Sequence, residues 1–102
     1  MANAYFIIDV VIHNPEGMKP YQEKVAQTYP LYGGKLLVLG GKSEVLEGTG
    51  PRGLTVILEF PSAEQAHAWH NSPDYQAIIG YRHAAAESHA YLVEGLAPGA
   101  PA

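Results

Sequence analysis

Apolar positions along this chain come in two periods, and the two alternate. Residues 4–13, AYFIIDVVIH, are β-branched, aromatic and almost continuously apolar, which predicts a first strand covered on both faces. Alternation puts Phe6, Ile8, Val10 and Ile12 on one face and Tyr5, Ile7, Asp9, Val11 and His13 on the other. An acidic residue amid a covered face, Asp9, needs a partner. Asn14-Pro15-Glu16-Gly17 has turn chemistry. A helix is predicted from Lys19 or Pro20 to Tyr29, with Pro20 setting its start, because proline is accepted in a first helical turn and not deeper. Met18, Tyr21, Val25, Thr28 and Tyr29 then share one face, Pro30 stops the helix, and Tyr32-Gly33-Gly34 turns the chain.

Lys35–Leu39 reads as a second strand broken by Gly40-Gly41, with Ser43–Glu47 as a candidate continuation. EGTGPRG, residues 47–53, is a loop without the spacing of a phosphate loop. Leu54–Phe60 is a third strand, with Leu54, Val56, Leu58 and Phe60 facing one way and Thr55, Ile57 and Glu59 the other. Ser62 and Gln65 form a capping-box pattern that starts a short helix ending near His70. Ser72 caps a second helix, with Pro73 at its first position and Asp74 in its first turn. Tyr75, Ile78, Ile79, Arg82 and Ala86 recur along it at helical spacing. Ser88–Glu94 is the last strand.

The order β-α-β-β-α-β predicts an α+β fold of the ferredoxin-like kind. Helices then cover one face of the sheet, yet the strands are apolar on both sides. The simplest cover for the second face is another copy of the chain, giving a homodimer packed sheet to sheet.

Composition bounds this picture. The length of 102 residues suits one domain, read here as residues 1–95 with a flexible tail at 96–102. The formal net charge of −4, with Lys and Arg scattered, argues against nucleic acid as a partner. The absence of cysteine removes thiolate chemistry, and no segment has the length or apolarity to signal secretion or a membrane span. A cytoplasmic location is expected.

Tyr32-Gly33-Gly34, Glu47-Gly48, Glu59-Phe60-Pro61, Ala68-Trp69, Ser72-Pro73-Asp74-Tyr75-Gln76, Arg82 and Glu94-Gly95 stand in an order and spacing that closely resemble domain-of-unknown-function family 1330. The resemblance runs from Ala4 to Gly95. It implies a dimeric α+β barrel, in which two ferredoxin-like protomers pair around a shared barrel. That superfamily includes cofactor-independent monooxygenases, chlorite dismutase-like haem proteins, muconolactone isomerase-like enzymes and stress-responsive barrel proteins. The resemblance therefore implies a fold and a range of chemistries.

Among candidate residues, Arg82 is the charged position on an apolar helix face. It reads as a clamp for an anionic ligand, as an ion-pair partner of Glu59, or as a structural salt bridge. Glu59 is a general-base candidate or the partner of Arg82. Asp9 and Glu59 lie on comparable faces, as paired carboxylates would, and His13 shares the side of Asp9 and is an acid–base candidate. The catalytic candidates are therefore His13, Asp9 and Glu59. Tyr21, Arg52, Trp69, Tyr75 and Arg82 are the ligand-binding candidates, with core packing or a solvent-exposed loop as the alternative use of each. His67 and His70 have a possible metal spacing but lack the glutamate of a zincin, so no metal is assigned. No haem or nucleotide motif is present, so no cofactor is expected. The combined expectation is a homodimer that binds or converts a small anionic or aromatic molecule, with monooxygenase-like or isomerase-like chemistry. The alternative is a non-catalytic structural or regulatory module.

Overall fold

The structure, a computed structural model, describes residues 2–97. Most of the tail expected over 96–102 thus lies outside the described residues. The elements run β1 (Ala4–Ile12), α1 (Pro15–Lys24), β2 (Lys35–Leu39), β3 (Leu54–Phe60), α2 (Ala63–His70), α3 (Pro73–Ala85) and β4 (Ala86–Glu94), with 3₁₀ turns at Val25–Gln27 and Pro30–Tyr32. The strands form one antiparallel sheet in the order β2-β3-β1-β4. This is the ferredoxin-like α+β arrangement that the element order predicts. Among the described residues no helix is long and apolar enough to cross a membrane.

Local chemistry explains the boundaries. The Ser62 hydroxyl accepts from the Gln65 amide at 3.1 Å, and the Ser72 hydroxyl accepts from the Tyr75 amide at 3.3 Å. Each serine satisfies a donor that the first helical turn leaves unpaired. The Ser72 hydroxyl also donates to the Trp69 carbonyl at 2.7 Å, which ties the end of α2 to the start of α3.

The start of α1 differs from expectation. Asn14 caps it by accepting from the Gly17 amide at 3.2 Å, and Pro15 takes the first position. Pro20 lies inside this helix rather than at its start. It forfeits one bond to the carbonyl of Glu16, an exposed residue that solvent can satisfy. The predicted apolar face survives the shift: Met18 and Thr28 are buried, and Tyr21, Val25 and Tyr29 pack against the core. Beyond β2, Ser43–Glu47 forms no strand. The irregularity in this hairpin sits earlier, where the register with β3 shifts between Leu36 and Val38.

The faces of the sheet are unequal. Ala4, Phe6, Ile8 and Val10 of β1, with Leu58 and Phe60 of β3, are buried beneath the helices. Trp69, Tyr75 and Phe60 are the largest fully buried side chains, and the Trp69 indole donates to the Thr28 hydroxyl at 2.9 Å. The opposite face carries Tyr5, Ile7 and Val11 of β1, Ile57 of β3, and Tyr91 and Val93 of β4. Among the described residues no element covers it. The shortest axis of the molecule spans only 16 Å, one sheet and one helical layer.

Candidate functional site

Between α1 and the helix-covered face lies a cavity of about 490 Å³. Its floor is Phe6, Ile8 and Val10 of β1 with Val56 and Leu58 of β3, and α1 adds Met18 and Tyr21. This volume lies within the roughly 300–1,000 Å³ range of small-molecule sites. α1 and the turns that follow it contribute Met18, Tyr21, Val25 and Tyr29 to the lining.

Arg82 supplies the charge on the cavity wall. It occupies the last turn of α3 on the face that also buries Tyr75, Ile78, Ile79 and Ala85, and it is only 4% exposed. One guanidinium nitrogen donates to the Ser88 hydroxyl, and a second donates to the Tyr75 hydroxyl at 3.5 Å. Nε is buried and has no hydrogen-bond partner among the described residues. The guanidinium carbon stands 5.5 Å from the centre of the Tyr21 ring, a cation–π contact. Among the described residues no carboxylate lies within 4.0 Å of it. The negative end of α3 and the Tyr21 ring offset part of the cost of burying this cation.

The Tyr21 and Tyr75 hydroxyls are 2.8 Å apart. Tyr21 lines the cavity, whereas Tyr75 is fully buried behind it. Burial pushes the Tyr21 hydroxyl far above its ordinary pKa, reinforced by Tyr75 and opposed by Arg82. Tyr21 therefore stays protonated at physiological pH and serves as a hydrogen-bonding group rather than a base.

The candidates from sequence thus separate. Tyr21 and Arg82 meet at the cavity, and Tyr75 supports both. Trp69 belongs to the core, its ring 4.1 Å from that of Tyr75. Arg52 is on the surface, where it bonds Glu87 at 2.9 Å. That hydrogen bond and the charge of Arg52 hold the Glu87 carboxyl below its usual range. Asp9 and Glu59 point to the open face. Asp9 stands opposite Thr55 and His89, and Glu59 opposite Tyr5 and Lys35. At about 3.3 Å per residue, the four positions between them amount to about 13 Å, too far for paired-carboxylate chemistry. Glu59 and Arg82 therefore do not pair, since the sheet lies between them. His13 is exposed just past β1, and its amide donates to the Ala85 carbonyl at 2.9 Å.

Ser88 was not among the sequence candidates. Its place on the helix-facing side of β4, in register with Val10, was the available signal. His67 is exposed and His70 is half-buried against Trp69 and Tyr75, and both line a second, smaller cavity of about 190 Å³. Among the described residues no three His, Asp or Glu side chains gather as a metal site.

The family described as Domain of unknown function (DUF1330) matches residues 3–96. The chain belongs to the DUF1330 family. Comparison with curated proteins produced no match. Among solved structures, this DUF1330 chain is similar to a protein of unknown function from Rhodopseudomonas palustris, at 20% identity and TM-score 0.73 over 95% of this chain and 85% of that one. It is similar to SnoaB, a cofactor-independent oxygenase from Streptomyces nogalater, at 10% identity and TM-score 0.64 over 95% and 96% of the two chains. It is also similar to a dimeric ferredoxin-like protein of unknown function from Thermobifida fusca, at 11% identity and TM-score 0.60 over 91% of each chain. At these identities the likeness establishes the fold.

Proposed function

We propose that this DUF1330 protein is a homodimer that binds a small anionic or aromatic organic molecule in the cavity between α1 and the sheet, and that any conversion there needs no cofactor. One observation carries the reading: a nearly solvent-free arginine, without a carboxylate partner among the described residues, stands on the wall of a largely apolar cavity. A buried unpaired cation is expensive to fold around, by several kcal/mol. A site that uses it accounts for its presence better than packing does. The open apolar face supports the dimer, as does the dimeric description of the Thermobifida fusca structure. The SnoaB likeness supports cofactor-free oxygenation as the chemistry to test first.

The test uses the anionic aromatic dye 1-anilinonaphthalene-8-sulfonate. It is expected to saturate at one site per chain, and Val56→Trp, which fills the cavity floor, is expected to remove that site while the circular dichroism spectrum is retained. Unchanged dye binding in a folded Val56→Trp variant would overturn the assignment.

A second reading has its own observation. Asp9 Oδ1 is buried on the open face without a hydrogen-bond partner among the described residues. In a non-catalytic module, Asp9, Glu59 and His89 would instead serve the seam between two copies.

A further inference from the structure

Resting on the proposed cavity site, we infer that its ligand is an amphiphilic monoanion, a carboxylate or enolate head on an apolar body, and that Tyr21 presents the charge of Arg82 to that head through Tyr75. The run of hydroxyls from Arg82 to the cavity wall carries this. A guanidinium only donates. The Tyr75 oxygen therefore accepts from Arg82, and either hydroxyl of the Tyr21–Tyr75 pair, 2.8 Å apart, can donate to the other. An acceptor in the cavity would select the order in which Tyr75 donates to Tyr21 and Tyr21, whose ring stands on the cavity wall, donates to the ligand. Each donor in such a chain is strengthened by the one behind it. The 3.5 Å contact from Arg82 is long, so it orients Tyr75 more than it binds it.

This end of the cavity consequently presents the Tyr21 hydroxyl, with the buried Arg82 cation beside it. Burial keeps Tyr21 protonated, so the hydroxyl stays available as a donor near neutral pH. An anionic head would accept from Tyr21 and offset the charge of Arg82, whereas an ammonium head would meet a buried cation. The remaining wall, with Ile8, Val10, Val56 and Leu58, asks for an apolar body.

Three probes with one body separate head from body: 4-butylbenzoate, 4-butylbenzyl alcohol and 4-butylbenzylamine, titrated calorimetrically into the full chain at pH 7.5. The benzoate is expected to bind at least about ten-fold more tightly than the alcohol, as a charge-assisted hydrogen bond predicts, and the amine not measurably. Tyr21→Phe is expected to reduce the preference for benzoate several-fold without weakening the alcohol. Arg82→Met is expected to abolish the preference while the ligand-free Tm stays level or rises, because a lone buried charge has been replaced by an apolar chain. A purely structural Arg82 would lower that Tm instead. If Arg82→Met fails to fold, Tyr21→Phe decides the relay alone. Equal binding of benzoate and alcohol by the unmodified protein overturns this inference and leaves the cavity reading standing. Binding of none of the probes overturns both. A preference that persists undiminished in Tyr21→Phe overturns the relay.

Discussion

The two faces of the sheet carry the same alternation of apolar residues, yet the chain completes only one of them. Beneath the helices, Phe6, Ile8, Val10, Leu58 and Phe60 are buried in a continuous core with Trp69 and Tyr75. On the far side, Tyr91 is 58% exposed and Val93 42% exposed, with Asp9, Glu59 and His89 set among the apolar residues. The contrast teaches that apolarity and function part company here. The covered face holds a cavity and a buried cation, whereas the other face has no second layer over it among the described residues. The catalytic candidates Asp9 and Glu59 fall on the open side, and the ligand-binding candidates Tyr21 and Arg82 fall on the cavity side.

The sharpest way to break this comparison is to damage the covered side. Trp69 is fully buried, packs edge-on against Phe6 at 5.1 Å between ring centres and bonds Thr28. Trp69→Ala is expected to lower unfolding free energy by about 3–5 kcal/mol in urea titration. A loss under about 1 kcal/mol would mean that this side is not the principal core.

A smaller effect on folding, but a large one on assembly, is expected from the open side. Ile57 sits centrally there, opposite Ile7 of β1 and Val38 of β2. Ile57→Lys leaves the helix-side core intact, and lysine can extend its ammonium to solvent in a single protomer. Between two sheets the ammonium would be buried without a partner. Sedimentation equilibrium is expected to show the unmodified protein as a dimer at micromolar concentration and the variant with a dissociation constant raised at least about ten-fold. An unmodified protein that stays monomeric, or a variant that associates equally well, would refute the sheet-to-sheet dimer.

How far the sequence carries differs between these regions for physical reasons. Caps are local, so Ser62 and Ser72-Pro73 announced the starts of α2 and α3 without tertiary information. The same grammar at Asn14-Pro15-Glu16 was legible too, but Pro20 competed with it, and a proline inside an exposed helical segment costs one bond rather than the helix. Alternation sorted β1 and β3 into two faces correctly, and it had already set Glu59 apart from Phe60. It could not say which face the helices would take, so an ion pair between Glu59 and Arg82 stayed conceivable. The cavity is a matter of how far α1 stands from the sheet, which no residue pattern encodes. The hydroxyl pair Tyr21–Tyr75 and the bond from Arg82 to Ser88 likewise depend on which side chains meet across elements.

The smallest expected effect concerns pH and probes the border of the covered side. His70 is half-buried at the end of α2, with ring centres 6.1 Å from Trp69 and 5.5 Å from Tyr75. Burial lowers its pKa from the ordinary 6.5, helped by the positive charge of Arg82 and then by His67 and His83. In the unfolded chain the same imidazole takes up its proton near 6.5. As pH falls through that value, the unfolded state binds more protons than the folded state, so stability must fall with it. The decline begins at the ordinary histidine value and ends below the folded one. Above 6.5 the group is neutral in both states and contributes no slope. His70→Gln is expected to flatten this part of the stability profile measured by urea titration between pH 7.5 and 5. His67→Gln, at an exposed position, is expected to alter it much less. Because Arg82 is the second cause of the shift, Arg82→Met should shrink the slope without removing it, and an anion seated beside Arg82 should do the same. A slope indifferent to His70→Gln would show that acid acts elsewhere on the molecule. A slope that responds to His70→Gln and also softens when 4-butylbenzoate is bound would connect the buried cation to the cavity through a residue that does not line that cavity.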